Sequence, residues 1–149
     1  MFVMIVKTLN AMSVALHDVF GDSFHYYVED IKQNLTKPCF TINMIEPLTR
    51  SVNHRHYYRT MPMVIHYFPV DKDITKAEAY AVAERAFEAI EYIVIEDRLV
   101  RAVDMSCEYD DGVLSMYATY RFWTEVPYDP VYMEDLKVLE RVKNKTKKG

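Results

Sequence analysis

Asp111-Gly112 constrains this chain more than any other pair of residues. The dipeptide favours a two-residue hairpin turn, because both positions tolerate the positive φ that such turns demand. With those two residues as the loop, counting outward fixes the register of two strands. Tyr109 faces Leu114, Cys107 faces Met116, Met105 faces Ala118 and Val103 faces Tyr120. Every pair on that face is apolar or aromatic. The other face pairs Glu108 with Ser115, Ser106 with Tyr117, Asp104 with Thr119 and Ala102 with Arg121. A slip of one residue would bury those polar groups, so the pattern itself specifies the register.

The rest of the chain supplies elements for this hairpin to pack with. Ile5, Leu9, Met12, Leu16 and Val19-Phe20 recur at helical spacing, and Gly21 offers a left-handed stop. Residues 24–30 alternate Phe24, Tyr26 and Val28 against His25, Tyr27 and Glu29, as a strand does. A second helix is expected from Thr75, which has capping-box spacing to Glu78. Tyr80, Ala83, Phe87 and Ile90 form its apolar stripe, and Tyr92-Ile93-Val94-Ile95 follows as a β-rich run. After Pro127 and Pro130 the pattern weakens, and residues 131–140 suit a short helix or a strand equally. Hairpins outnumber crossovers, which predicts an α+β fold: a mostly antiparallel sheet with two main helices packed on one face.

Between residues 37 and 69 two extended apolar runs bracket a polar tip. The runs are Pro38 to Ile45 and Met61 to Pro69, with Pro38 and Pro62 near their starts, where a missing N–H is tolerated. The tip, Thr49 to Arg59, contains Arg50, His54, Arg55, His56, Tyr57, Tyr58 and Arg59, with no acid and no glycine. A plain connection between strands would be shorter and richer in turn residues. A long hairpin arm with a cationic, aromatic tip points toward contact with a partner.

Charge is unevenly spread. The last nine residues hold Arg141, Lys143, Lys145, Lys147 and Lys148 and no acid, leaving residues 1–140 near −9 and the tail near +5. A single domain over 1–140 with a basic tail over 141–149 is the natural division for 149 residues. An acidic body argues against general nucleic-acid binding. Cys39 and Cys107 make no disulfide framework and are expected to be free, buried and reduced. The N-terminal run is too short and lacks the basic flank of a signal peptide, and no membrane span is expected.

The chain offers little that resembles chemistry. Three glycines cannot supply a phosphate loop, and no nucleophile elbow, His-Glu-x-x-His or Cys-x-x-Cys occurs. His54 and His56 would share one strand face, and His66 or His25 could add a third metal ligand. Arg50, Arg55 and Arg59 would repel the cation, however, and a site needs three or four converging ligands. The carboxylate pairs Glu29-Asp30, Glu96-Asp97, Asp110-Asp111 and Glu134-Asp135 fall at element ends and read as solvated charge. His17 sits favourably near a helix C-terminus. No catalytic, metal-binding or cofactor-binding residue is expected, and no cofactor.

Several runs, taken together and in order, resemble a known family. They are Asn34 to Phe40, Arg55-His56-Tyr57-Tyr58-Arg59, Val64 to Pro69, Ala86 to Ile93, and Asp111-Gly112-Val113-Leu114. This collinear set, over roughly residues 5–125, is similar to the small phage tail terminator proteins of phages and prophages of low-GC Gram-positive bacteria. The resemblance implies a structural virion protein, made in the host cytoplasm, that forms a homohexameric ring at the head-proximal end of the tail tube. Its implied partners are further copies of itself, the tail tube protein, the sheath protein if the tail is contractile, and the head–tail connector or neck proteins. It implies no enzymatic activity, no membrane and no sequence-specific nucleic acid.

The tip and one face of the last hairpin are therefore the candidate protein interface: Arg50, His54, Arg55, His56, Tyr57, Tyr58, Arg59, Tyr117, Thr119, Arg121 and Trp123. An acidic body meeting basic tips would make complementary patches, so charge reversal at Arg55 and Arg59 is expected to weaken assembly more than folding. Two other readings stand beside this one. The first is another neck, connector or tube protein of the same assembly. The second is a small ligand-binding or enzymatic α+β domain with a site built from scattered residues.

Overall fold

A computed structural model describes residues 4–29, 35–71 and 73–125. The expected structure of residues 131–140 and of the basic tail lies outside these residues. In chain order the elements are α1 (Met4–Phe20), β1 (His25–Val28), β2 (Cys39–Met44), β3 (Leu48–Ser51), β4 (His56–Phe68), α2 (Lys76–Ile90), β5 (Tyr92–Ile95), β6 (Arg98–Asp110) and β7 (Val113–Glu125). The strands form one sheet in the order β1-β2-β4-β7-β6-β5, with β3 also paired to β4. Among the described residues only β1 and β2 pair in parallel; the other pairings are antiparallel. The α+β architecture read from the sequence is the one observed.

Both helices lie against the same side of the sheet. α1 packs on α2, β5, β2 and β1, and α2 packs on β6, β7 and β5. Between helices and sheet lies a core that includes Leu9, Met12, Leu16, Phe40, Ile42, Met61, Met63, Ile65, Ile90, Leu114, Met116 and Tyr120. Each such aliphatic side chain removed from water contributes about 1.5–3 kcal/mol, which is what holds the layers together. Near the end of α1, Arg85 of α2 donates through Nη2 to the Val19 carbonyl at 2.9 Å. That bond satisfies a carbonyl the helix end leaves unpaired. Gly21 follows with φ +77°, the left-handed turn expected of it.

Two helix faces differ in detail from the sequence pattern. In α1, Met4 and Thr8 are buried while Ile5 is exposed. Thr8 is accommodated because its hydroxyl donates to the Met4 carbonyl at 2.7 Å. In α2, the buried face is Ala79, Ala83, Ala86 and Ile90, whereas Tyr80 points to solvent and Phe87 is half-buried. Small side chains allow the helix axis to approach the sheet closely, and that gain selects the alanine face over the bulkier one. The Thr75–Glu78 capping box forms as expected.

The last hairpin follows the predicted register up to one point. Tyr109 pairs with Leu114, Cys107 with Met116 and Met105 with Ala118, but Ala102, not Val103, faces Tyr120. Val103 is the extra residue of a bulge and is half exposed. A bulge inserts one residue on one strand only, so it exchanges the faces beyond it and increases local twist. It is what turns Val100 inward and lets β6 continue into a second hairpin with β5. That hairpin closes through Glu96 and Asp97, with φ of 50° and 65° and no glycine. L-residues in this region carry about 1–2 kcal/mol of strain each, less for aspartate. Asp97→Gly is expected to stabilise the fold by about 0.5–1 kcal/mol, read as a rise of a few degrees in Tm. An unchanged or lower Tm would contradict that account.

Pro62 also departs from expectation. It lies in the interior of β4, not at its start. Its carbonyl accepts from the Ile45 N–H at 2.8 Å. In an antiparallel strand the N–H of the same residue would point the same way. That side is where the chain turns from β2 to β3, through Glu46 at φ +41°, so the absent donor removes no ladder bond to β7.

Candidate functional site

The tip predicted from Thr49 to Arg59 is mostly strand. β3 pairs with β4 from Leu48↔Thr60 to Ser51↔Tyr57, and only residues 52–55 connect them. β7 flanks β4 along its whole length, from His56↔Glu125 to Tyr67↔Leu114. The arm is thus part of the sheet and does not stand free. The polar stretch reads as a loop because it lacks apolar alternation, yet pairing on both sides keeps it extended. Asn53 builds the short turn: its Oδ1 accepts from the backbone N–H of Arg55 at 2.9 Å and of His56 at 3.0 Å. Arg55 Nη2 donates to Glu125 Oε1 at 2.7 Å and ties the turn to the end of β7.

Because side chains alternate along a strand, this pairing divides the nominated residues between two faces. Arg50, His56, Tyr58, Tyr117, Thr119, Arg121 and Trp123 fall on the face opposite the helices. The registers Arg50↔Tyr58, Tyr58↔Trp123, Thr60↔Arg121, Pro62↔Thr119 and Val64↔Tyr117 place them in successive cross-strand rows. The Tyr58 and Trp123 rings meet at 4.9 Å between centroids. Trp123 is 51% and Tyr117 38% exposed. Six residues of strand separate them, about 20 Å. The result is a strip of aromatic rings and two exposed guanidinium groups on the side of the sheet away from both described helices. Leu48, 49% exposed, shares a row with Thr60 and Arg121 and was missed in the sequence. Its signal was the two-residue alternation with Arg50, hidden by the neighbouring Pro47.

Tyr57 and Arg59 fall on the other face, toward the helices. Arg59 is only 6% exposed. Its Nε donates to Thr124 Oγ1 at 2.8 Å and its Nη1 to Thr49 Oγ1 at 3.3 Å. The guanidinium lies 5.9 Å from the Tyr57 ring. Burial pulls its pKa down, while Tyr57 and Glu96 oppose that shift. Arg59 is therefore an internal polar tie between β3, β4 and β7. Reversing its charge tests folding, not assembly, which corrects the expectation attached to the Arg55 and Arg59 pair. His54 sits exposed in the connecting turn.

The histidines do not converge. His56 Nδ1 lies 2.9 Å from Asn53 Oδ1, and His66 Nδ1 lies 3.0 Å from Ser115 Oγ ten residues along β4. Burial lowers the His66 pKa. Among the described residues, no three His, Cys, Asp or Glu side chains are grouped to hold a metal ion. Cys39 is buried and Cys107 half-buried, both free, and burial raises the pKa of each. Glu29 caps a backbone amide, Met44 N–H, at 3.0 Å, and Glu96 pairs with Lys7. Asp30, Glu134 and Asp135 lie outside the described residues. Among the described residues, no helix is long and apolar enough to cross a membrane.

Comparison with known proteins adds one decisive observation. Nothing matches among curated proteins. Twenty-eight chains of known structure match. One aligns over 80% of this chain and 96% of its own at 11% identity, with a TM-score of 0.40, too distant to carry an argument. A family described as phage tail terminator protein matches residues 8–131, from early α1 to beyond the end of β7. That span takes in most of α1, all of α2, every described strand and the whole exposed strip, and the chain belongs to the phage tail terminator family.

Proposed function

We propose that this protein is a structural virion component that closes a phage tail. In this reading, copies assemble head to tail into a ring, a homohexamer, on the head-proximal end of the tail tube. The ring stops tube polymerisation and presents a surface to the connector or neck proteins, and to the sheath protein where the tail is contractile. The role is assembly, not catalysis, and the Gram-positive host belongs to the same reading.

The exposed strip on the face opposite the two described helices is the observation that carries it. Tryptophan, tyrosine and arginine dominate the energetics of protein interfaces, and Tyr58, Trp123, Tyr117, Arg50 and Arg121 present all three types on paired strands. A rigid sheet face loses little conformational entropy on binding. A ring built from heterologous contacts needs two different patches on each subunit, and this strip would serve as one.

Arg121→Glu combined with Trp123→Ala tests the reading, since both side chains point away from the core. The double variant is expected to keep its circular dichroism and its Tm within a few degrees. It is expected to lose assembly by tenfold or more in concentration, seen by native mass spectrometry, and to leave tail tubes uncapped. Wild-type assembly and capping by a folded double variant would overturn the assignment of the strip. Unlimited self-polymerisation of the unmodified protein would instead favour a tube protein.

A further inference from the structure

A contact that repeats head to tail needs two unlike patches on each subunit. The exposed strip is one, and the β5 edge of the sheet offers a second. A groove of about 670 Å³ runs there between β5, α1 and the end of α2. Small side chains, Ala11, Ala15 and Ala89, line it with Val14 and Val94. Both valines are exposed, and apolar surface gathered at a groove marks a place where another molecule docks. From Lys7 to Asp18, α1 rises about 16 Å. The strip runs about 20 Å from Tyr117 to Trp123, so the two patches match in length.

Their charges are complementary. The groove carries three carboxylates, Asp18, Glu88 and Glu96, against one ammonium, Lys7, which Glu96 already engages. Arg85, one turn before Glu88, bonds the carbonyl of Val19, the neighbour of Asp18, and this brings Asp18 and Glu88 to the same end of the groove. Arg85 itself lies over the Phe20 ring at 4.8 Å. Among the described residues no ion pair engages Asp18 or Glu88. On the strip, Arg50 and Arg121 are exposed and likewise have no ion pair among the described residues. Glu125, beyond Trp123, is held by Arg55. Asp104 and Glu108 pair with Thr119 and Ser115, away from this end. The half of the strip holding Arg50, Tyr58, Arg121 and Trp123 is therefore its positive half.

We propose that the positive half of the strip on one copy docks into the β5–α1 groove of the next. Trp123 enters among the groove alanines as the aromatic anchor, and Arg50 and Arg121 meet Asp18 and Glu88. Opposite charges steer the encounter and reject other registers. The strip lies on a sheet face and the groove at a sheet edge, so one copy is turned relative to the next. Each docked copy keeps its own groove open, and the contact repeats with a fixed rotation. The inference rests on the ring reading above and adds which two surfaces meet.

The test uses full-length protein in two charge-reversed forms. The groove variant carries Asp18→Arg and Glu88→Arg, and the strip variant carries Arg50→Glu and Arg121→Glu. All four side chains are exposed, and cations near the ends of α1 and α2 suit the helix dipoles, so both variants are expected to keep their circular dichroism. Each alone is expected to assemble tenfold or more weakly than wild type, read by native mass spectrometry. Mixed in equal amounts they should recover assembly to within a few fold, as alternating copies, because each junction then again joins opposite charges. Raising salt should weaken both the wild-type and the mixed assemblies. A groove variant that assembles like wild type, beside a strip variant that does not, would overturn the groove and leave the strip in place. Wild-type assembly by both variants would overturn both patches. Loss in the groove variant that the strip variant cannot rescue would assign the groove to another contact, such as groove against groove, and would overturn the pairing. A wild-type protein that stays monomeric with and without tail tubes would overturn the ring reading itself.

Discussion

Arg59→Glu is expected to cost about 3–5 kcal/mol and to leave little folded protein at physiological temperature, because it breaks a buried polar tie and strands the partners it leaves behind. In the native fold the guanidinium is nearly inaccessible and bonds Thr124 and Thr49 on the strands either side of β4. A carboxylate there cannot donate to either hydroxyl, and it would replace the cation whose field helps Glu96 stay ionised. Arg59→Met separates the two contributions. It keeps the length and the apolar contact with Tyr57 and removes the charge, so it is expected to recover at least half of the loss. Chemical denaturation with unchanged m values measures both. A folded Arg59→Glu protein with near-native stability would contradict the internal role and return Arg59 to the surface.

Tyr120→Ala is the second large effect, about 3–5 kcal/mol, since it empties the centre of the core. Tyr120 is fully buried, and its hydroxyl donates to the Ile90 carbonyl at the end of α2. It therefore joins β7 to the second helix by a bond as well as by volume. Tyr120→Phe keeps the volume and leaves that carbonyl short of a donor, for about 1–2 kcal/mol. The pH dependence identifies the hydroxyl. Burial holds Tyr120 protonated far above the ordinary tyrosine value of about 10. The unfolded chain releases this proton first, so the folded state binds more protons and stability falls as pH rises above about 10. Below that value the contribution is fully present. Tyr26 and Tyr67, raised chiefly by burial, act in the same direction. Tyr120→Phe should flatten the alkaline decline, and an identical decline in the two proteins would rule Tyr120 out as its main source.

Much of the candidate site was legible because strand alternation is a local rule. Tyr117, Thr119, Arg121 and Trp123 share one face by parity alone, and neither described helix packs on that face. Arg59 was not legible in the same way. A run with two faces gives no indication of which face is inward until a partner strand and a helix layer are placed, and the basic stretch had no apolar stripe to declare it. The Val103 bulge hid for a related reason: counting from Asp111-Gly112 assumes an unbroken ladder, and nothing in a valine announces an extra residue.

The sequence by itself determined the helices, the turn at Asp111-Gly112, the alternation of the long strands and hence the α+β class. Those depend on backbone propensity and on periodicity, which act over a few residues. Only the tertiary structure decided that β7 lines the whole of β4, that Arg59 turns inward while Arg121 turns outward, and that α2 buries alanines in place of Tyr80. These outcomes depend on which surfaces meet. Residues 59 and 121 are 62 positions apart, and contact between distant segments is settled by packing the whole core at once, not by any local preference.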